Sequence, residues 1–182
     1  MNFKSLKVVL ISFALTVAGN SLAEKMPESA KAKEQRIEQD LNILFQRSMN
    51  TAALKLDKMK EVRPFAIIKK TDGTFGVFEP KVNEKTKDMT VNEQSMAVRN
   101  LLKKLAIADQ IEAASAVMYA VVENPNTKEK KQGLTFSMEH KEGISLMRFL
   151  PVSKSKNEEG KEILVFELEN LETVNKPQVV FN

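Results

Sequence analysis

Gly133-Leu134-Thr135-Phe136-Ser137-Met138-Glu139-His140-Lys141-Glu142-Gly143-Ile144 is the stretch that decides the fold. Leu134, Phe136 and Met138 alternate with Thr135, Ser137 and Glu139, the period-two pattern of a strand that buries one face. Lys141-Glu142-Gly143 supplies a short polar turn, and a second apolar run extends from Ile144 to Val152. Two such runs joined by a short link make an antiparallel hairpin. The second run alternates less cleanly, with Ile144, Leu146 and Leu150 on one side and Met147 and Phe149 on the other.

Upstream of this hairpin, Ala114 to Glu123 is small, β-branched and aromatic in turn, and Asn124-Pro125-Asn126 ends it, so it reads as another strand. Before it, Thr90-Val91-Asn92-Glu93 matches a capping box, in which threonine and glutamate satisfy each other's backbone donors at a helix start. Met96, Val98, Leu101, Leu102, Leu105 and Ala108 follow at mostly helical spacing, which predicts a helix from about Val91 to Asp109. Lys81 to Met89 is charged and aperiodic, a surface loop. Phe65 to Lys70 and Phe75 to Phe78 flank Thr71-Asp72-Gly73-Thr74, where Asp-Gly suits the positive φ angles of a tight hairpin.

Arg63-Pro64 closes a long amphipathic helix, roughly Ser29 to Lys58. Its stripe is Ile37, Leu41, Leu44, Phe45, Met49 and Ala52, extended by Leu56 and Met59. The turns before Ile37 are polar and are expected to fray or stand in solvent. Downstream of the deciding hairpin, Ser153 to Gly160 reads as a charged loop. Ile163 to Leu168 then forms a strand with Leu164, Phe166 and Leu168 on one side, and Gln178 to Phe181 adds an edge strand.

The order is α-β-β-α-β-β-β. It predicts an α+β domain: an antiparallel sheet of about five or six strands with both helices packed on one face. The expected core sets Leu41, Leu44 and Phe45 of the first helix, with Leu101, Leu102 and Leu105 of the second, on Leu134, Phe136, Leu164 and Phe166.

The N-terminus has a different character. Lys4 and Lys7 precede an uncharged, mostly apolar run from Val8 to Gly19, and Ser21-Leu22-Ala23 places small residues where a signal peptidase needs them. Residues 1–23 are therefore expected to be a secretory signal peptide cleaved after Ala23. The apolar run falls short of the ~20 residues that span a bilayer core, so no stable membrane insertion is expected after cleavage. Residues 24–32 read as a flexible entrance and 33–182 as one domain, localised to the periplasm. Glu24 to Asn182 is 159 residues, enough for a sizeable core. Lys4 and Lys7 leave with the leader, so the formal charge falls from +4 to about +2. Most of the remaining basic stretches carry acids among them, which argues against tracking a nucleic acid backbone.

Composition removes several chemistries. The chain has no cysteine, hence no disulfide, thiolate nucleophile, zinc–thiolate site or iron–sulfur cluster. It has no tryptophan, the best residue for stacking on a sugar. His140 is the only histidine, which rules out a two-histidine metal site. It lies beside a charged turn, and we expect it to be solvated, near its reference pKa of ~6.5, and replaceable by alanine at little cost. No serine sits in a Gly-x-Ser-x-Gly setting. Glu158, Glu159, Glu167, Glu169 and Glu172 lie in charged or alternating stretches and read as solvated faces, and Asp72-Gly73 lacks the other oxygen ligands of a calcium loop. The six glycines are scattered, with no phosphate-binding loop. No catalytic, cofactor-binding or metal-ligating residue is therefore assigned, and no cofactor is expected.

Phe65-Ala66-Ile67-Ile68 with Asp72-Gly73, the helix from Val91, the strand Ala114 to Val122, and Glu139-His140-Lys141-Glu142-Gly143 together resemble a group of small, functionally uncharacterised bacterial α+β proteins. In that group a Phe-Ala…Asp-Gly hairpin precedes a helix and a Glu-His-x-x-Gly hairpin. The resemblance covers about Leu41 to Leu168. It implies a fold and no activity, and the leader departs from its mostly cytoplasmic members. The resulting expectation is an exported, non-enzymatic periplasmic binding or accessory protein whose partner is another periplasmic protein. The alternatives are an inhibitor or immunity protein against an exported enzyme or toxin, and a small-molecule-binding cystatin-like or NTF2-like domain. Oligomeric state is not specified by the sequence.

Overall fold

Phe65-Ala66-Ile67-Ile68 is apolar at every position, and the structure shows why: both faces of its strand are covered. The computed structural model describes residues 29–59, 62–81, 88–123, 128–156, 158, 160 and 162–182. The expected leader, residues 24–28 of the entrance, most of the 81–89 loop and the Asn124-Pro125-Asn126 break lie outside them, as does the Met59 side chain.

The elements are α1 (Ala30–Met59), β1 (Phe65–Lys70), β2 (Phe75–Phe78), α2 (Val91–Ile107), β3 (Ile111–Glu123), β4 (Lys130–His140), β5 (Ser145–Lys156), β6 (Glu162–Phe166) and β7 (Glu172–Asn175). The fold is α+β. One antiparallel sheet runs in the order β2-β1-β3-β4-β5-β6, and β7 pairs with β5. Among the described residues seven strands form, more than the five or six expected. The additional strand is not the predicted one. Glu172–Asn175 pairs with β5 residues 146–149, beside the stretch of β5 that pairs with β6. Gln178 to Phe181 forms no strand; it folds over the sheet and buries Val180. The expected loop from Ser153 is strand as far as Lys156, because Val152 to Lys156 pairs with β6.

Helix placement also differs from the expectation. Phe65, Ile67, Ala113, Val117, Leu134, Phe136, Met138, Leu150 and Val152 pack with Ile37, Leu41, Leu44, Phe45 and Ala52 of α1. Ala66, Ile68 and Ala114 pack with Val98 and Leu102 of α2 and with Val180. Successive side chains of a strand point to opposite faces, so the two helices cover opposite faces of the sheet. Of the expected core, Leu41, Leu44, Phe45, Leu134 and Phe136 stand on one side, with Phe166 packed at its margin. Leu102 and Leu105 belong to the other side, and Leu164 is exposed. The physical reason is in β1 and β3: Ala66, Ala114 and Ala116 are short enough to let a second helix approach the back of the sheet.

Local chemistry sets the element ends. The Ala32 N–H donates to Ser29 Oγ (3.2 Å), capping α1 at its polar end. The capping box forms as read: Glu93 N–H donates to Thr90 Oγ1 (3.3 Å) and Thr90 N–H to Glu93 Oε2 (2.7 Å). Gly73 takes φ +80° in the β1–β2 turn, and Gly143 takes φ +105° in the β4–β5 turn, conformations costly for any residue with a Cβ. No helix among the described residues is long and apolar enough to cross a membrane.

Candidate functional site

Of the buried polar residues, Asp40, Glu139, His140 and Ser145 gather where β4 ends, and the Glu139-His140 pair is their centre. His140 continues the Leu134-Phe136-Met138 face and points at α1, whereas Glu139 points to the opposite face. The side chain of His140 is completely buried. Its Nδ1 accepts the Glu142 N–H at 3.2 Å, so the proton of the neutral ring sits on Nε2. Nε2 lies 3.4 Å from Asp40 Oδ2 without making a well-directed hydrogen bond. The same Asp40 oxygen accepts from Lys69 Nζ at 2.7 Å, and Lys69 also reaches Glu112 at 3.1 Å. The register shift between Lys69 and Lys70 makes a bulge at the start of β3, which places Glu112 beside Lys69. Four elements thus meet: α1 through Asp40, β1 through Lys69, β3 through Glu112 and β4 through His140.

The expectation for His140 is overturned. It is not a solvated turn residue, and its pKa is not at the reference value. Burial pushes the imidazole below its ordinary value, and the nearby Asp40 and Glu142 carboxylates oppose that push without cancelling it. Burial would also lower the Lys69 ammonium, but Asp40 and Glu112 outweigh it and hold the group above its ordinary value. At the turn itself, Arg36 Nη2 donates to Glu142 Oε1 at 2.6 Å and Lys33 lies 3.0 Å from Oε2. Chiefly through Arg36, the Glu142 carboxyl falls to about 2. The polar first turns of α1, expected to fray, therefore hold the β4–β5 turn.

Glu139 closes the other face. Its Oε2 accepts from the Val180 N–H (2.7 Å) and the Val179 N–H (2.9 Å), and its Oε1 accepts from Lys176 Nζ. Burial pushes its carboxyl up, but Lys176 and the two amides prevail and hold it below its ordinary value. Gln178 Nε2 donates to the His140 carbonyl at 2.6 Å. Adjacent residues of one strand thus fasten α1 on one side and the C-terminal segment on the other.

What this arrangement can do chemically follows from access. Both ring nitrogens of His140 are buried, Nδ1 on the Glu142 N–H and Nε2 facing Asp40, whereas a general base must lie within hydrogen-bond reach of the group it deprotonates. The buried Ser48 Oγ donates to Ser115 Oγ at 2.9 Å, tying α1 to β3 rather than facing an imidazole. Among the described residues, no group of three or more histidine, aspartate or glutamate side chains is placed to hold a metal ion. A small cavity adjoins Glu139, and an open groove lies apart from the network, along α1. The cavity, of about 20 Å³, lies between α2, β4 and Val180 and holds no more than a water. The groove, of about 220 Å³, runs between α1 and β2, lined by Arg47, Asn50, Thr51, Ile67 and Phe75.

Sequence reasoning missed Asp40, Lys69 and Glu112 altogether. Asp40 carried a signal: it stands three residues after Ile37 and four before Leu44, inside the apolar stripe of α1. Comparison with protein-family models, with curated proteins and with solved structures gave no match.

Proposed function

We infer that the mature chain is an exported, non-enzymatic binding or accessory protein that acts in the periplasm through contact with another protein. The observation that carries this reading is the burial of His140, the one imidazole of the chain, with both nitrogens facing inward. Its best-placed titratable groups join secondary-structure elements to one another. Export rests on the charged start, the apolar run and Ser21-Leu22-Ala23. The likeness to small bacterial proteins with a Glu-His-x-x-Gly hairpin adds a fold and no reaction. The groove between α1 and β2 is smaller than the ~300 Å³ at which small-molecule sites begin, which weakens the small-molecule alternative. The inhibitor or immunity reading gains from the apolar open edge at β6, the kind of surface through which one protein engages another.

Two measurements test the proposal. N-terminal sequencing of protein from an osmotic-shock fraction should start at Glu24; a chain starting at Met1 in carbonate-washed membranes overturns export. Cross-linking of the mature protein in that fraction should capture a saturable protein partner. Capture of none overturns the binding reading. An activity lost more than a hundredfold in a folded His140→Asn variant overturns the non-enzymatic one.

A further inference from the structure

The two margins of the sheet are finished differently. At the β2 margin, α1 reaches across: Arg47 lies 4.4 Å over the Phe75 ring, and Lys55 donates to Glu79. At the other margin, β6 pairs with β5 on one side and with no described strand on its outer side. Ile163, Leu164 and Val165 are 41%, 37% and 39% exposed. Because successive strand residues point to opposite faces, the apolar surface is open above and below the edge.

The backbone of this edge can be assigned. The Glu167 N–H donates to the Pro151 carbonyl at 3.0 Å, continuing the β5–β6 register. In an antiparallel ladder, hydrogen bonding to a given neighbour alternates along the strand. Val165 and Ile163 therefore turn their peptide groups to β5, and Leu164 and Phe166 turn theirs outward. Charge selects what fits there. From Glu162 to Asn175 the chain carries four carboxylates and no lysine or arginine, in a protein of formal charge +4. Glu169 and Glu172 are exposed, and Glu167 is half-buried. Lys154 and Lys156 belong to β5, one strand inward, and Lys161 and Lys176 bound the stretch in sequence.

We propose that the outer edge of β6 accepts an extended, lysine- or arginine-bearing segment of a partner protein as an added strand. This rests on the binding reading above and names the chemistry of its partner. Main-chain hydrogen bonds to Leu164 and Phe166 supply affinity, apolar side chains of the segment cover Ile163, Leu164 and Val165, and its basic residues meet Glu167, Glu169 and Glu172.

The probe is a short synthetic peptide alternating lysine with valine, with a glutamate–valine peptide as control. The lysine peptide should bind the purified chain at micromolar concentration and slow amide exchange at Leu164 and Phe166. Leu164→Pro removes only an outward N–H, a substitution edge strands tolerate, and should weaken binding at least about tenfold with circular dichroism unchanged. Glu167→Lys combined with Glu169→Lys should do the same. Exchange in the unmodified chain decides the matter even where Leu164→Pro misfolds: no slowing at Leu164 and Phe166 overturns the proposal. Equal binding of the glutamate peptide, or full binding by folded Leu164→Pro, also overturns it. So does self-association of the chain through β6, which would make a second copy the occupant. A captured partner that binds Leu164→Pro as tightly as the unmodified chain overturns the edge while leaving the binding reading standing.

Discussion

The end of the sheet where β4 finishes and the edge formed by β6 lie in the same domain and obey opposite rules. At the first, the Asp40 and Glu139 carboxylates are buried and each has a half-buried cation or backbone donors beside it: Asp40 with Lys69, which also meets Glu112, and Glu139 with Lys176 and two amides. At the second, apolar side chains are exposed and a strand has one open side. Burying a charge is costly unless it is paired and hydrogen-bonded, so the first region fixes the relative positions of elements far apart in sequence. Leaving a strand edge open costs no desolvation and keeps backbone groups available. One region spends its polarity on holding the fold; the other leaves its apolar surface for contact.

The largest effect that could break this contrast lies under the closed region. Phe136 is fully buried and meets Phe45 edge to face, with ring centroids 5.0 Å apart. Phe136→Ala should destabilise by about 3–5 kcal/mol. An unmoved urea midpoint would mean that α1 does not cover this face. Leu102→Ala, on the opposite face, should cost about 2–5 kcal/mol. The pair therefore also tests that each face has its own core.

Next in size is the carboxylate that fastens the C-terminal segment. Glu139→Ala leaves the Lys176 ammonium and the Val179 and Val180 amides without their shared acceptor. Breaking a buried pair from one side costs about 3–5 kcal/mol, and the remaining exposure of Lys176 places this site at or below the lower end. Hydrogen exchange should quicken at Val179 and Val180 before the rest of the sheet. Uniform quickening across β1 to β5 would show that the segment is not a separate closure.

The third test is pH. The folded-state pKa of His140 lies below its ordinary value of 6.5, so the unfolded chain binds its proton first as pH falls. The stabilisation is therefore complete above about 6.5 and is lost as pH drops toward the folded value. Glu139, lowered from 4.5, adds a second loss at more acid pH. Lys69, raised from 10.5, contributes below that value and is lost in strong alkali. Urea midpoints measured across the acid range should show the upper step in the unmodified chain and not in His140→Asn. A step surviving that substitution would belong to another group.

How far the sequence could be read depended on whether a pattern is local. The capping box at Thr90, the hairpin at Asp72-Gly73, the strand from Gly133 and the stripe of α1 are settled by neighbours a few residues away, and each forms, although of Asp72 and Gly73 only the glycine takes a positive φ. The placement of α2 is not local. The unbroken run Phe65-Ala66-Ile67-Ile68 signalled a strand buried on both faces, yet a one-sided sheet was expected. His140 shows the same lesson at one residue. Its place in the Leu134-Phe136-Met138 alternation argued for burial, while its charged neighbours argued for solvent, and the alternation prevailed because Asp40 stood across from it. Asp40, Lys69 and Glu112 come together only through the register of β1 with β3 and the docking of α1, which no short pattern encodes. The β7 pairing was equally hidden, since Glu172–Asn175 is exposed and lacks alternation.

The smallest expected effect lies at the open edge, and it sharpens the contrast most. Leu164 is 37% exposed, and the neighbour that holds its strand, β5, is bonded through the peptide groups of Ile163 and Val165. Leu164→Thr keeps a residue that favours strands and removes apolar surface that water already reaches. Stability should change by less than about 0.5 kcal/mol, as for other surface substitutions. Thermal melts and urea midpoints of the variant should superimpose on those of the unmodified chain. A loss of 2 kcal/mol or more, on the order expected for a core leucine, would show that β6 is packed against part of the chain outside the described residues. The edge would then be closed, and the distinction between the two regions would fail.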